Sequence, residues 1–476
     1  MQDKTVIDVW VADLTFPGYM DRLHRLAEEF GGRHPEYEVR VQGRDFRLLP
    51  QQIARAAQDG TPPAVCESYF YITQVARDLV GPTGVPLFQP LEEAIAGRTE
   101  ILGEPVVIDD IERGVRDYYT YDGVLVSMPS VATSTVLFCN RAILEAAGVT
   151  DVPSTWTEVQ EACRKVAALP DGPAHAITWS NHGMVFQQAL AAQGGELVDA
   201  RNGRHGRART VDLASKEMLA WVQWWKGLHR EGHYLYTGGI PDWQGTFAAF
   251  AAGEVAMRIS SSNDNNYMAA AAAENGIDLV VTRFPDNPHS PYEGNGIAGT
   301  SLWLTAGLDD VVRDGALAFL QYAHNPENVI EQHRTSSFIP LTRTAFAQLE
   351  AQGWFDEHPL HRVATDQLRH LPSSGVADEN AAAGAPPLSR GALFGDFAGA
   401  QDVMTRAMHD VLVHDADPAT RFGEATVEAQ ALLDAYEADR ADGGITSAQS
   451  VRVEYFADTA PYSGADLENV VRLSRD

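Results

Sequence analysis

A β-rich run, a helical stripe and a second alternating run fill the start of the chain, and this order constrains the fold most. Val6 to Val11 is dense in β-formers. Tyr19, Leu23, Leu26 and Phe30 then recur at helical spacing, and Tyr37, Val39 and Val41 alternate as a strand. Strand, helix, strand is the opening of an open sheet flanked by helices. Ligands of such sheets gather beyond the carboxyl ends of the strands. The loops after Val11 and Val41, and the one around Cys66 to Tyr71, are therefore the places for a site. With 476 residues the chain is long enough for two such α/β lobes, each with its own core.

A second unit starts near Val124. Val124 to Pro129 reads as a strand entering a loop, and Val136-Leu137-Phe138 as another strand, closed by Asn140 as a helix N-cap. Ala142 to Ala147 is a short helix stopped by Gly148. Thr155-Trp156-Thr157-Glu158 has capping-box spacing, and Trp156, Val159, Cys163 and Val166 form an apolar stripe that reads as core packing. Gly253 to Met257 enters a further strand. The polar run Ser260 to Asn266 follows, offering hydroxyls and amides to a ligand or simply forming a turn and cap. Ser373 to Pro387 reads as a loop, and Val451 to Phe456 as a strand-like stretch in a polar tail. No internal repeat is visible.

Several chemistries lack support. Gly294-Asn295-Gly296-Ile297-Ala298-Gly299 matches G-x-G-x-x-G, but prolines precede it and a strand follows, so the dinucleotide context fails. His358 and His361 flank Pro359 without a zinc pattern, and Cys66, Cys139 and Cys163 have no ligand spacing. No metal or cofactor is expected. There is no nucleophile elbow, P-loop or zinc-protease motif, so nothing points to catalysis. The net charge of -29, from 36 basic and 65 acidic residues, argues against nucleic acid as a partner. The longest apolar runs are too short to span a bilayer. Met1-Gln2-Asp3-Lys4 leads at once into a strand, so either an export signal lies outside this sequence or the protein is cytoplasmic.

One constellation is positive. Aromatic and polar residues share the strand-end loops: Phe46, Glu67, Tyr69, Phe70, Trp179, Asn181, His182 and Trp243. Sugar rings stack their apolar faces on aromatics and need planar polar partners for their hydroxyls. A cleft between lobes is the usual place for such a site.

Val136-Leu137-Phe138-Cys139-Asn140-Arg141 through Leu144 to Gly148 resembles the "LYYNKDLFEKAGL" stretch of extracellular solute-binding proteins that serve carbohydrate ABC importers. Pro153 to Glu158 resembles their "PKTWDE", and Phe250 to Met257 their "F-x-x-G-x-x-A-M". Within that family the likeness is sharpest to the glycerol-3-phosphate-binding subfamily. Gly299 to Trp303 resembles "GASLW", Phe338 to Thr342 resembles "YLPIT", Gln352 to Pro359 is similar to "QGFYEKNP", and Ala364 to Leu368 to "ATRQM".

The departures are informative. The phosphate-gripping arginine of the subfamily's "G-L-R-L-G" is replaced by Leu393 in Gly391 to Gly395. Phe70 stands for the glutamate that meets glycerol hydroxyls, with Glu67 close by, and Phe46 and Phe338 replace binding tyrosines. The resemblance thus implies a kept scaffold and a changed ligand. Arg258 or Arg334 is the candidate to restore an anion site.

The resemblance implies a two-lobed α/β periplasmic-binding-protein fold with a ligand cleft between the lobes. The expected lobes are 1–122 with 268–323 and 123–267 with 324–442, followed by a tail at 443–476; the chain crosses near Asp122-Gly123, Tyr267 and His324. Phe46, Glu67, Phe70, Thr133, Trp179, Trp243, Ser261, Gly299 and Phe338 are the expected cleft residues. The aromatics would stack, Glu67, Thr133 and Ser261 would fix hydroxyls, and Gly299 would offer its N–H. The expected function is capture of a small carbohydrate or polyol by a monomer that docks on an ABC permease, extracellular or periplasmic. A cytoplasmic enzyme or sensor on the same scaffold is the alternative.

Overall fold

The computed structural model describes residues 4–13, 18–46, 48–369 and 391–448. The loop expected at Ser373 to Pro387 and the stretch Val451 to Phe456 lie outside the described residues.

Two sheets organise these residues. Their strands, in chain order, are β1 (Thr5–Asp13), β2 (Tyr37–Asp45), β3 (Val65–Tyr69), β4 (Phe88–Gln89), β5 (Met128–Thr133), β6 (Thr135–Asn140), β7 (Ile177–Trp179), β8 (Tyr234–Leu235), β9 (Met257–Ser261), β10 (Leu279–Arg283) and β11 (Ala298–Thr305). The first sheet has the order β2-β1-β3-β11-β4, with β5 also paired to β11; the second has the order β8-β7-β9-β6-β10. β1 runs parallel to β2 and β3, because the helix Tyr19–Arg33 carries the chain back over the sheet. Ile7, Val9 and Val11 point into the core and meet Leu26, Ala27 and Phe30 of that helix. The predicted βαβ opening is thus present with its expected faces.

The second lobe has a core of its own. Leu137 and Cys139 of β6, Ile177 and Trp179 of β7, and Trp221 and Trp225 of the helix Lys216–Arg230 fill it, with Phe397, Met404 and Phe422 from the late helices. The capping box predicted at Thr155 and Glu158 starts the helix Trp156–Ala167, and its stripe Trp156, Val159, Cys163 and Val166 is buried. Asn140 caps the next short helix, accepting from the Ile143 N–H.

The lobe boundaries differ from the sequence expectation. The chain changes sheet between Thr133 and Thr135, not at Asp122-Gly123, because β5 pairs with β11 of the first sheet. It returns between Arg283 and Ala298, not at Tyr267, because β10 still pairs with β6. Residues just beyond His324 remain on the first lobe: Asn328 accepts at its carbonyl from Arg22, and the Thr344 N–H meets Asp110. The helix Pro359–Arg369 then reaches the crossing, where Gln367 donates to Ser134 Oγ at 2.6 Å and the Thr135 carbonyl at 2.8 Å and accepts from the Phe284 N–H at 2.7 Å. One buried side chain therefore ties both crossing segments together.

Beyond the helix Pro418–Ala441 the chain turns back to the first lobe. The Val80 N–H donates to the Ile445 carbonyl at 2.9 Å, beside a parallel bridge between Leu79 and Ile445.

Candidate functional site

The carboxyl end of β3 meets the second lobe at Tyr71. A crevice there is lined by Tyr71 of the first lobe and by Asn181, His182, Gly183, Ile240, Pro241, Ala398, Gln401, Asp402 and Thr405 of the second. Its cavity volume is about 30 Å³. A second cavity of about 440 Å³ shares Tyr71 and Ala398 and continues along the seam past Ile72, Phe397, Leu432 and Tyr436. Tyr71 thus stands between two parts of one interlobe seam.

Behind Tyr71 on the first-lobe side, two further aromatics pack in sequence. Phe46 and Tyr69 have ring centroids 6.0 Å apart, and Tyr69 stacks on Tyr71 at 5.5 Å and 20°. Burial, with Asp402 adding to it, pushes the Tyr71 phenol above its ordinary value. On the second lobe, β7 ends at Trp179 and the loop that follows delivers Asn181 and His182. Trp243 starts the helix Trp243–Ala251, and its ring lies 5.1 Å from that of His182.

Not every residue singled out in the sequence faces this seam. Trp179 is 1% exposed and packs among Trp221, Trp224, Trp225 and Tyr234, the last at 4.4 Å. Phe70 is buried against Tyr71 and Tyr118 in the first core. Both are core residues here, because helices not legible at those loops close over them. Glu67 is buried too. It accepts from the Ala12 N–H at 2.8 Å and from the hydroxyls of Thr300, Ser130 and Tyr19, so its oxygens are engaged within the lobe. Desolvation still raises its pKa above the carboxylate norm.

Thr133, Ser261 and Gly299 are brought together at the crossing. Thr133 lies opposite Ala298, Gly299 opposite Ala132, and Ser261 opposite Thr135. Gly299 has φ +151°, and a Cβ there would collide with the Val131 carbonyl, so only glycine lets β5 and β11 approach. Phe338 packs with Tyr19 and Val131 near the same strand end. Phe46 packs on Tyr69 and Trp243 on His182, and neither is among the described residues that line the crevice.

The arginines considered as anion partners are engaged elsewhere. Arg258 is fully buried and bonds Asp264 at 2.8 Å, Thr246 Oγ1 and the Trp243 carbonyl. Arg334 is exposed and lies over the Trp354 ring at 4.8 Å. Leu393, where the resemblance places the subfamily's arginine, is 2% exposed and packs with Tyr121 and Trp303. No arginine or lysine is among the described residues that line the crevice.

Gln401, Asp402 and Thr405 on the helix Phe397–Val413 complete the wall and were not anticipated. Their only sequence signal is the turn at Asp396, whose carboxylate caps that helix through the Gly399 N–H. Among the described residues no helix is long and apolar enough to cross a membrane, and no three metal-ligating side chains cluster.

Two α/β lobes joined by crossing strands, with a seam at the strand ends, are the architecture of a two-lobed binding protein. The chain belongs to the bacterial extracellular solute-binding protein family, whose model matches residues 25–362. It is 24% identical over 422 residues to the sn-glycerol-3-phosphate-binding periplasmic protein of Yersinia enterocolitica, covering 87% of this chain and 90% of that one. Among solved structures it is similar to UgpB of Mycobacterium tuberculosis in complex with glycerophosphocholine (TM-score 0.66, 19% identity, 91% and 99% of the two chains). It is also similar to the GacH receptor of Streptomyces glaucescens, solved unliganded and with acarbose (TM-score 0.67, 18% identity, 91% and 99%). The resemblance read from the sequence and the fold agree.

Proposed function

We propose that the protein captures a small carbohydrate or polyol between its lobes, outside the cytoplasmic membrane, and delivers it to an ABC permease. Membership of the solute-binding family, together with a seam that bears aromatic and planar polar side chains, carries this reading. Tyr71, backed by Tyr69, offers a face for a sugar ring; Asn181, His182 and Gln401 offer partners for hydroxyls, with Trp243 packed on His182. The adjoining cavity of about 440 Å³ falls within the ~300–1,000 Å³ usual for small-ligand sites. Capture and release need no bond to break, so the protein acts as a receptor and not as an enzyme. The ligand is a neutral one, since the arginines proposed to hold a phosphate are engaged away from the crevice.

Thermal-shift measurements with maltose, maltotriose, glycerol 3-phosphate and glycerophosphocholine test this, because a ligand of the native state raises the melting temperature. A shift with a neutral sugar, confirmed by calorimetry, is expected. No shift with any of the four at millimolar concentration would overturn the reading.

A further inference from the structure

One buried acceptor in the crevice has no donor. Asn181 is 1% exposed, and its Nδ2 donates to the Thr405 carbonyl at 2.8 Å. That carbonyl can only accept, so the amide orientation is fixed and Oδ1 is left without a partner. A buried acceptor in this condition is less stable than one that is bonded, so a donor supplied by a ligand is favoured there. The neighbouring residue complements it. His182 Nδ1 accepts from the Met184 N–H at 3.1 Å, which places the proton of the neutral ring on Nε2. Desolvation lowers its pKa to about 4, so the ring is neutral at pH 7 and Nε2 is a donor.

We propose that Asn181 Oδ1 and His182 Nε2–H form an acceptor–donor pair that selects two neighbouring hydroxyls of a neutral sugar ring held against Tyr71. One hydroxyl gives its proton to Asn181, and its neighbour receives one from His182. Trp243, in contact with the imidazole, backs the ring. A phosphate group, deprotonated at pH 7, has no proton for Asn181 and would face its oxygen unfavourably. Ligand choice in this chain then resides on the second lobe, in the two residues after Ser180, and not at Leu393. The inference rests on the proposed function, since it presumes a carbohydrate in the seam.

Calorimetry with maltotriose, maltose and glycerol 3-phosphate on the wild type, Asn181→Ala and His182→Phe tests it, with circular dichroism to verify folding. Each substitution should weaken the tighter-bound sugar about tenfold or more, equivalent to ~1.4 kcal/mol. His182→Phe keeps a flat ring beside Trp243 and removes only the polar atoms, so it serves if Asn181→Ala folds poorly. Monodeoxy forms of that sugar should show one position at which Asn181→Ala adds no further loss. Wild-type affinity in folded His182→Phe and Asn181→Ala would overturn this inference and leave the proposed function standing. A wild type that binds neither sugar would overturn this inference, and one that shows no thermal shift with any of the four compounds would overturn the proposed function as well.

Discussion

Arg207 of the second lobe grips Asp78 of the first through two parallel hydrogen bonds of 2.9 and 2.8 Å. Tyr436 donates to the same carboxylate at 2.9 Å, and Glu437 takes the guanidinium Nε at 3.1 Å. Asp78 ends the helix Thr73–Asp78, and Tyr436 lines the larger cavity, so this clasp joins the lobes beside that cavity. Two residues further on, Val80 is held by Ile445.

Asp78→Asn should loosen the clasp. The pair is only partly buried, so solvent screening reduces its worth to about 1 kcal/mol rather than the ~1.5–3 of a charge-assisted bond. Urea denaturation should show that loss. Small-angle scattering of the ligand-free protein should show a larger radius of gyration than the wild type; an unchanged radius would mean that the clasp does not set lobe closure.

Trp179→Ala should act on stability. The indole fills the second core, and its removal leaves a cavity worth about 3–5 kcal/mol. Chemical denaturation would display this, whereas a fully stable variant with weakened sugar affinity would return Trp179 to the cleft wall expected from the sequence.

Arg258→Ala should be severe, because Asp264 would stay buried without its partner, at about 3–5 kcal/mol. The double variant Arg258→Ala with Asp264→Asn should recover part of the loss. Equal stability of single and double variants in urea would show that the ion pair is not coupled.

Acid should destabilise the fold well above the carboxylate range. Burial lowers His182, His324 and His333 to about 4 and His361 to about 3. In the unfolded chain each imidazole binds a proton from about pH 6.5, while in the folded chain it does not. Stability is therefore full above about pH 6.5 and falls as pH drops towards 4. Glu67, raised by burial, works the other way: it weakens the fold as pH rises past the ordinary carboxylate value of ~4.3. Melting temperatures from pH 8 to 4 should fall monotonically below 6.5, with a shallower slope in His361→Gln.

Local features were legible where one short segment determines the outcome. The βαβ opening, the Asn140 cap, the Thr155–Glu158 box and the non-nucleotide glycine loop all depend on neighbours in sequence. The first lobe crossing was misplaced because Pro129 reads as a loop. β5 tolerates it as an edge strand that pairs only with β11. Aromatics at strand ends look alike in sequence whether they line a cleft or fill a core. Trp179 was decided by a helix starting at Lys216, and Asn181 by Thr405. Such partners lie far apart in the chain and carry no shared pattern.

The place of β11 has a consequence for how the protein is made. This strand lies in the middle of the first sheet, between β3 and β4, yet it is residues 298–305. Until it has been synthesised, β3 lacks its antiparallel neighbour and Glu67 lacks the Thr300 hydroxyl. The nascent chain therefore holds an incomplete sheet through more than half of its synthesis, and closing so long a loop is slow. Any truncation before Thr305 should yield two unfinished lobes rather than one finished one.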